Sequence, residues 1–302
     1  MPQPLVRWGG VLLVGAGLAL AVLGGAGRAY VPGTTDESQK PLRWMFTNCV
    51  VLRANSAGSD NVADATELDA VKRATENWQR VTSGCGYLTF SVQPPSPDAQ
   101  VGLNRKGTNE NVVVWVEKDW KHDKEATGIT TVFFVDHPGS DQDGRILDGD
   151  IELNGEGFLF GTQAERTRHD VENTVTHELG HLMGLDHPCD DGTRKPVPKD
   201  NQGKTLPKCD PLGNLPAAMK ETTMFNFADR GETKKRSPEG DDVLGICATY
   251  PKSADPKVCA PVVLDEGGCS VAGHASPKDV PAAGLALVAL WLGARRTRRR
   301  HA

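Results

Sequence analysis

An α+β fold is predicted by three features of the sequence. Strand-like runs gather in the first half, helical patterns surround a histidine-rich motif in the second, and no internal repeat is visible. Leu42 to Leu52 is rich in apolar and β-forming residues and reads as the first strand. Asp64, with Glu67 three residues on, has the form of a capping box. Behind it Leu68, Val71, Thr75, Trp78 and Val81 recur at three- and four-residue spacing, so a helix follows with its apolar face on a sheet. Gly84 and Gly86 end that helix. Four more short strands are expected over Tyr87 to Val92, Asn111 to Glu117, Ile129 to Val135 and Arg145 to Asn154, each bounded by Gly, Pro, Asn or Asp. A second helix is expected from Ala164 to Met183 on the stripe Val171, Val175, Leu179 and Leu182, closed by Gly184 in a left-handed cap. Ser237-Pro238-Glu239 announces the last helix, an N-cap serine with proline at the first helical position, running through Val243, Leu244 and Ile246.

The two ends differ in character from this middle. An apolar stretch from Gly9 to Gly25, followed by Gly27-Arg28-Ala29, reads as a secretory signal peptide cleaved after Ala29; a retained anchor is the other reading, and both export the chain. From Pro256 the composition is loose, with Gly267-Gly268-Cys269-Ser270, an apolar run from Val280 to Ala294, and then five arginines. That order suits a membrane anchor whose arginines stay on the cytoplasmic side. The expected organisation is a signal peptide over 1–29, one folded domain over 30–255, and a linker with a sorting or membrane tail over 256–302.

Formal net charge is −5, and positive charge is concentrated at the ends, so the domain between them is more acidic still. An acidic domain is a poor nucleic-acid binder, and its aggregate charge would favour cationic substrates. Seven cysteines fit an exported protein with three disulfides and one thiol over, assigned to Cys269. Sequence does not fix connectivity; nearest-neighbour pairing gives Cys49 with Cys85, Cys189 with Cys209, and Cys247 with Cys259.

The informative stretch runs from Thr174 to His187. Residues four apart share one helical face, so His177 and His181 can offer ring nitrogens to one ion while Glu178, one step round, reaches a ligand of that ion. A catalytic zinc takes three protein ligands and keeps a fourth position open. Gly184, able to take positive φ, turns the chain so that His187 approaches the same ion. The whole His-Glu-x-x-His-x-x-Gly-x-x-His string arises by chance in roughly one chain in 10⁵ of this length, which disposes of an accidental amphipathic helix. The expectation is one zinc ion held by His177, His181 and His187, with Glu178 as general base in peptide-bond hydrolysis.

At these residues the chain resembles the metzincin clan of zinc peptidases, and within it the matrixin-like group. The resemblance implies a metzincin-like catalytic domain: a twisted, mixed, five-stranded sheet with an active-site helix and a C-terminal helix. It implies a zinc endopeptidase acting on extracellular polypeptides, and a Met-turn at Thr222-Thr223-Met224-Phe225 that places Met224 beneath the histidines. Substrate would add as an extended strand along the edge near Asp150 to Asn154. Two departures stand out. Pro188 to Glu221 intervenes before the methionine, and Asn226 occupies the place where some branches carry a tyrosine ligand. No cysteine-bearing prodomain precedes Leu42. The tail around Cys269 resembles the C-terminal sorting tag of myxobacterial surface proteins, MYXO-CTERM, which implies that Cys269 is a processing or attachment site and that export and sorting machinery are partners. A monomer is expected.

Weaker signals remain open. Asp141, Asp143, Asp148, Asp150 and Glu152 suit either structural calcium or a solvated hairpin. His122, Asp123 and His137 suit either a second zinc or an ordinary surface. Asp186 suits either a group orienting a ligand or a loop aspartate.

Overall fold

The computed structural model describes residues 29–264 and 284–294. Residues 1–28 of the expected signal peptide, Cys269 and the terminal arginines lie outside the described residues. The order of elements is β1 (Arg43–Trp44), β2 (Cys49–Asn55), α1 (Thr66–Thr82), β3 (Thr89–Ser96), β4 (Asn111–Val116), β5 (Ala126–Asp136), β6 (Arg145–Asn154), β7 (Phe160–Gly161), β8 (His169–Asp170), α2 (Val171–Leu182), α3 (Ala217–Lys220), β9 (Phe227–Ala228), α4 (Gly240–Thr249) and β10 (Gly284–Ala294). This is an α+β fold.

Among the described residues the sheet has eight strands rather than five. Its path is β3-β2-β4-β6-β5-β10-β9, with β1 pairing β6. The five expected strands form its contiguous heart, β3-β2-β4-β6-β5. Pairing is parallel except where β5 meets β6 and β10. The expected first strand is broken in two, because Phe46 takes a left-handed φ of 64° between β1 and β2.

β6 matches its expected bounds and explains the layering. Successive side chains of a strand point to opposite faces. A Cβ on Gly149 would lie 2.3 Å from Leu182 Cδ1, so α2 crosses the sheet on the face of Gly149, Ile151 and Leu153. Asp148, Asp150 and Glu152 therefore share the far face. Ile151, Leu153, Val113, Val132 and Phe134 join Val71, Ala74 and Trp78 of α1 and Val175, Leu179 and Leu182 of α2 in one core.

The position of β6 also corrects the expected substrate edge. Asp150 to Asn154 lies inside the sheet, between β4 and β5. β5 is the outer strand of the contiguous five, and β10 adds to it antiparallel. The apolar C-terminal run, expected as an anchor, thus lies in the sheet over Gly284–Ala294, and no helix among the described residues is long and apolar enough to cross a membrane.

The helix starts differ as well. Asp64 and Ala65 take left-handed φ values of 65° and 53°, and α1 begins at Thr66 without a side-chain cap. The Glu67 carboxylate closes no capping box; it accepts the Ser59 N–H at 3.1 Å. α2 begins at Val171 instead of Ala164, and α4 begins at Gly240 with Glu239 at the N-cap in place of Ser237.

Two of the three expected disulfides are wrong. The bonds are Cys49–Cys259, Cys85–Cys247 and Cys189–Cys209. Cys85 follows α1, where the Tyr87 N–H donates to the Tyr250 carbonyl at 2.9 Å, which brings the end of α4 beside it. Cys259 lies on a returning segment whose Val258 carbonyl accepts the Asn48 N–H at 2.7 Å, next to Cys49. Residues 256–264, expected to open a linker, are fastened by that bond and place Val262 and Leu264 in the core.

Candidate metal centre

α2 is held at both ends by groups distant in sequence. At its start the Asp170 side chain caps the helix by accepting the Asn173 N–H at 2.9 Å, and Arg236 pairs with the Asp170 carboxylate. Glu172 pairs with Arg73 of α1 at 2.7 Å. Trp78 Nε1 donates to the Thr176 carbonyl at 2.8 Å, one residue before His177. At the far end Trp44 Nε1 donates to the Leu182 carbonyl at 2.9 Å and the Tyr250 hydroxyl to that of Met183 at 2.8 Å. These contacts satisfy carbonyls that a helix C-terminus otherwise leaves open.

Gly184 then takes the expected left-handed conformation, φ 92°. A Cβ there would lie 2.3 Å from the Leu42 carbonyl oxygen, so any other residue would push away the N-terminal strap that crosses the turn. The chain doubles back and brings in His187.

The three Nε2 atoms converge. They lie 3.1 Å apart for His177 and His181, 3.0 Å for His181 and His187, and 3.3 Å for His177 and His187. The opposite ring nitrogens face outward. His177 Nδ1 donates to the Thr223 carbonyl at 2.7 Å and His181 Nδ1 to the Leu185 carbonyl at 2.9 Å, while His187 Nδ1 faces Asp191 Oδ2 at 3.7 Å. With protons on Nδ1, three Nε2 lone pairs point at one another in a buried space. A cation at their centre relieves that repulsion. Tetrahedral zinc with Zn–N of about 2.05 Å requires N···N separations of about 3.3 Å, so the donors fit a zinc-sized ion. Burial depresses the pKa of His177 and His181 well below the ordinary value, helped at His177 by the Lys235 charge and at His181 by His187. Among the described residues this triad is the only set of three or more such donors able to hold a metal ion.

Glu178 is fully buried beside the triad. Its Oε2 accepts the Thr130 hydroxyl of β5 at 2.7 Å, and its Oε1 has no partner. Burial pushes the carboxyl up to about 8, against the opposing pull of Thr130 and of the Lys235 charge. Met224 is buried against α2: a Cβ on Gly180 would lie 2.2 Å from its sulfur. Asn226 packs on the Cys189–Cys209 bond, its Nδ2 3.3 Å from Cys209 Sγ.

The acidic segment does not assemble for calcium. Asp143 accepts from Ser38 and the His137 N–H, Asp150 accepts the Gly102 and Val112 N–H groups, and Glu152 faces His122 at 3.0 Å. Asp141 and Asp148 join none of these groups, and Asp148 has both oxygens buried and unpartnered. His122, Asp123 and His137 likewise form no second site. Asp186 does not orient a ligand ring; its Oδ1 accepts the His187 N–H at 2.7 Å and its Oδ2 pairs with Arg194.

Four supporting residues escaped sequence reasoning. Asp191 faces the His187 ring; burial would raise its carboxyl, but the neighbouring His187 ring and hydrogen bonds from Thr193 outweigh that and hold it well below the usual range. Asp242 accepts the Thr223 N–H at 2.7 Å. Lys235 is buried, donates its ammonium to the carbonyls of Phe225 and Phe227, and donates its N–H to Asn173 of α2 at 2.8 Å. Thr130 supports the Glu178 carboxylate. None carries a local signal, because each acts from a separate element. No family model matches the chain, and no curated protein matches it.

Proposed function

We propose that the chain is an exported zinc endopeptidase of the matrixin-like metzincin type. The observation that carries the reading is a single buried cluster with three converging Nε2 atoms and the free oxygen of Glu178, reached from β5. His177, His181 and His187 would hold the ion, leaving a fourth position without a protein ligand, as catalytic zinc sites do. When bound, zinc polarises a carbonyl and acidifies water.

The remaining chemistry belongs to the chain. Glu178 Oε1 would accept a proton from the attacking water and return it to the leaving amine. Thr130 holds the other oxygen, which keeps the carboxylate aimed and favours its charged form. The Met224 turn, fixed by Asp242 and Lys235, sets His177 through the Thr223 carbonyl. β5 is the strand along which an extended peptide would add, antiparallel and in the place that β10 takes in this structure. Three disulfides support export.

The test is digestion of an unfolded generic protein by the full chain and by Glu178→Ala, with zinc content measured in both. Cutting by the wild type alone, at equal zinc, is expected. Equal zinc with no cutting by either chain would sink the peptidase reading and leave a zinc-stabilised binding module.

A further inference from the structure

A cavity of about 450 Å³ opens near the start of β5, lined in part by Trp120, Lys124, Phe158, His169 and Arg230. Its place along β5 can be read from two contacts. A Cβ on Gly128 would lie 2.9 Å from Glu178 Oε1, so the base acts opposite that residue. Asn154, in the cavity wall, donates from Nδ2 to the Ala126 carbonyl at 2.9 Å, two residues earlier. The cavity therefore begins about 7 Å along β5 from the base. A peptide lying antiparallel to β5, in the place that β10 takes in this structure, runs toward Ala126 with the residues that follow the cut bond.

The charges at this cavity are not balanced. Of its two carboxylates, Glu156 already accepts the Trp120 N–H at 2.7 Å and Asp119 lies 3.8 Å from Lys121. Lys124 and Arg230 are exposed and make no ion pair among the described residues. His169 is buried, stands edge-on to Phe158 with ring centroids 5.1 Å apart, and is kept neutral by burial and by the Arg230 charge. A neutral imidazole, two unpaired cations and two aromatic rings suit a carboxylate carried on a short aliphatic stem.

We propose that this cavity binds an acidic side chain of the substrate, two to four residues after the cut bond, with Arg230 and Lys124 as the groups that select it. The inference rests on the peptidase reading and runs against the cationic preference that the aggregate charge of the chain would give.

Peptides built round a cut site mapped on an unfolded protein, with Glu, Gln or Lys at the second, third or fourth following position, test it in two arms. In the first, the full chain is expected to prefer Glu over Gln by about tenfold in kcat/KM at one of these positions, and the Arg230→Gln, Lys124→Gln double variant to lose that preference. Both substitutions fall on exposed residues, so folding is retained. In the second, the same peptides are titrated into zinc-loaded Glu178→Ala and followed by tryptophan fluorescence, with tighter binding of the Glu peptide expected. Cutting without preference for Glu overturns the acidic pocket and leaves the peptidase standing. Preferential binding of the Glu peptide with no cutting by wild type overturns the peptidase and leaves the pocket. Equal binding and no cutting overturns both.

Discussion

Thr130 Oγ1 lies 2.7 Å from Glu178 Oε2 and 3.1 Å from the Glu178 carbonyl, so one hydroxyl on β5 ties down both the side chain and the backbone of the candidate base. A hydroxyl donating to a carboxylate favours its charged form. Removing it in Thr130→Val raises the pKa of Glu178, which burial has already lifted. A base works only when deprotonated, so the acidic limb of the pH profile of kcat/KM moves to higher pH. A fall of about tenfold is expected at pH 6, with less at pH 9, since hydrogen bonds to charged groups contribute roughly 1.5–3 kcal/mol. Thr130→Ser restores the profile. A uniform loss across pH, or loss of zinc, would mean that Thr130 acts only in packing.

A second relay reaches the candidate metal ligands from behind. Asp242 accepts the Thr223 N–H, and the Thr223 carbonyl accepts His177 Nδ1–H, so Asp242 orients a ligand through one peptide unit. Groups that orient metal ligands typically contribute 10–100-fold in affinity. Asp242→Ala is expected to weaken zinc binding by about that factor in a chelator competition, with Asp242→Asn intermediate because it retains an acceptor. Unchanged affinity would remove Asp242 from the relay.

These relays also define what the sequence could carry. The histidine spacing and Gly184 were legible because helix geometry and one glycine turn act within eleven residues. β6 was legible because Gly144 before it and Gly155 after it mark its ends. The start of α2 was misread because the capping residue, Asp170, lies behind a segment with no apolar break, and Arg236, which pairs with it, is 66 residues away. Cys49 and Cys259 are separated by 210 residues, and nothing local at either marks the other. The substrate edge was misplaced for the same reason: strand order is a matter of long-range pairing, and the pattern of β6 reads alike at an edge or in the interior.

The far face of β6 makes a prediction about pH. Burial, and then the neighbouring Asp150 charge, push the Asp148 carboxyl up to about 9, and both its oxygens lack partners. An acid whose pKa is higher folded than unfolded is protonated in the fold, so the unfolded chain releases its proton first as pH rises. Stability from this group is present near pH 4 and is lost progressively toward pH 9. Asp148→Asn keeps the shape without the charge. Its melting temperature, measured on the metal-free chain, is expected to exceed wild type by at least about 2 °C at pH 8, with the gain shrinking toward pH 5. A gain independent of pH would show that ionisation is not the cause.

The disulfide-closed excursion after His187 offers the last test. Cys189–Cys209 closes a segment that carries Asp191 to the His187 ring and Arg194 to Asp186, whose other oxygen holds the His187 N–H. The third ligand is thereby supported on its ring and on its backbone from one loop. If the bond acts by holding that loop, Cys189→Ala with Cys209→Ala weakens zinc binding through the same contact that Asp191→Ala removes. Each change alone is expected to cost about tenfold in zinc affinity. Combined, they should fall well short of a hundredfold, because residues acting through one contact are not additive. A full hundredfold would mean that the disulfide and Asp191 support the site independently, with the bond acting through Arg194 and Asp186 or through the stability of the loop as a whole.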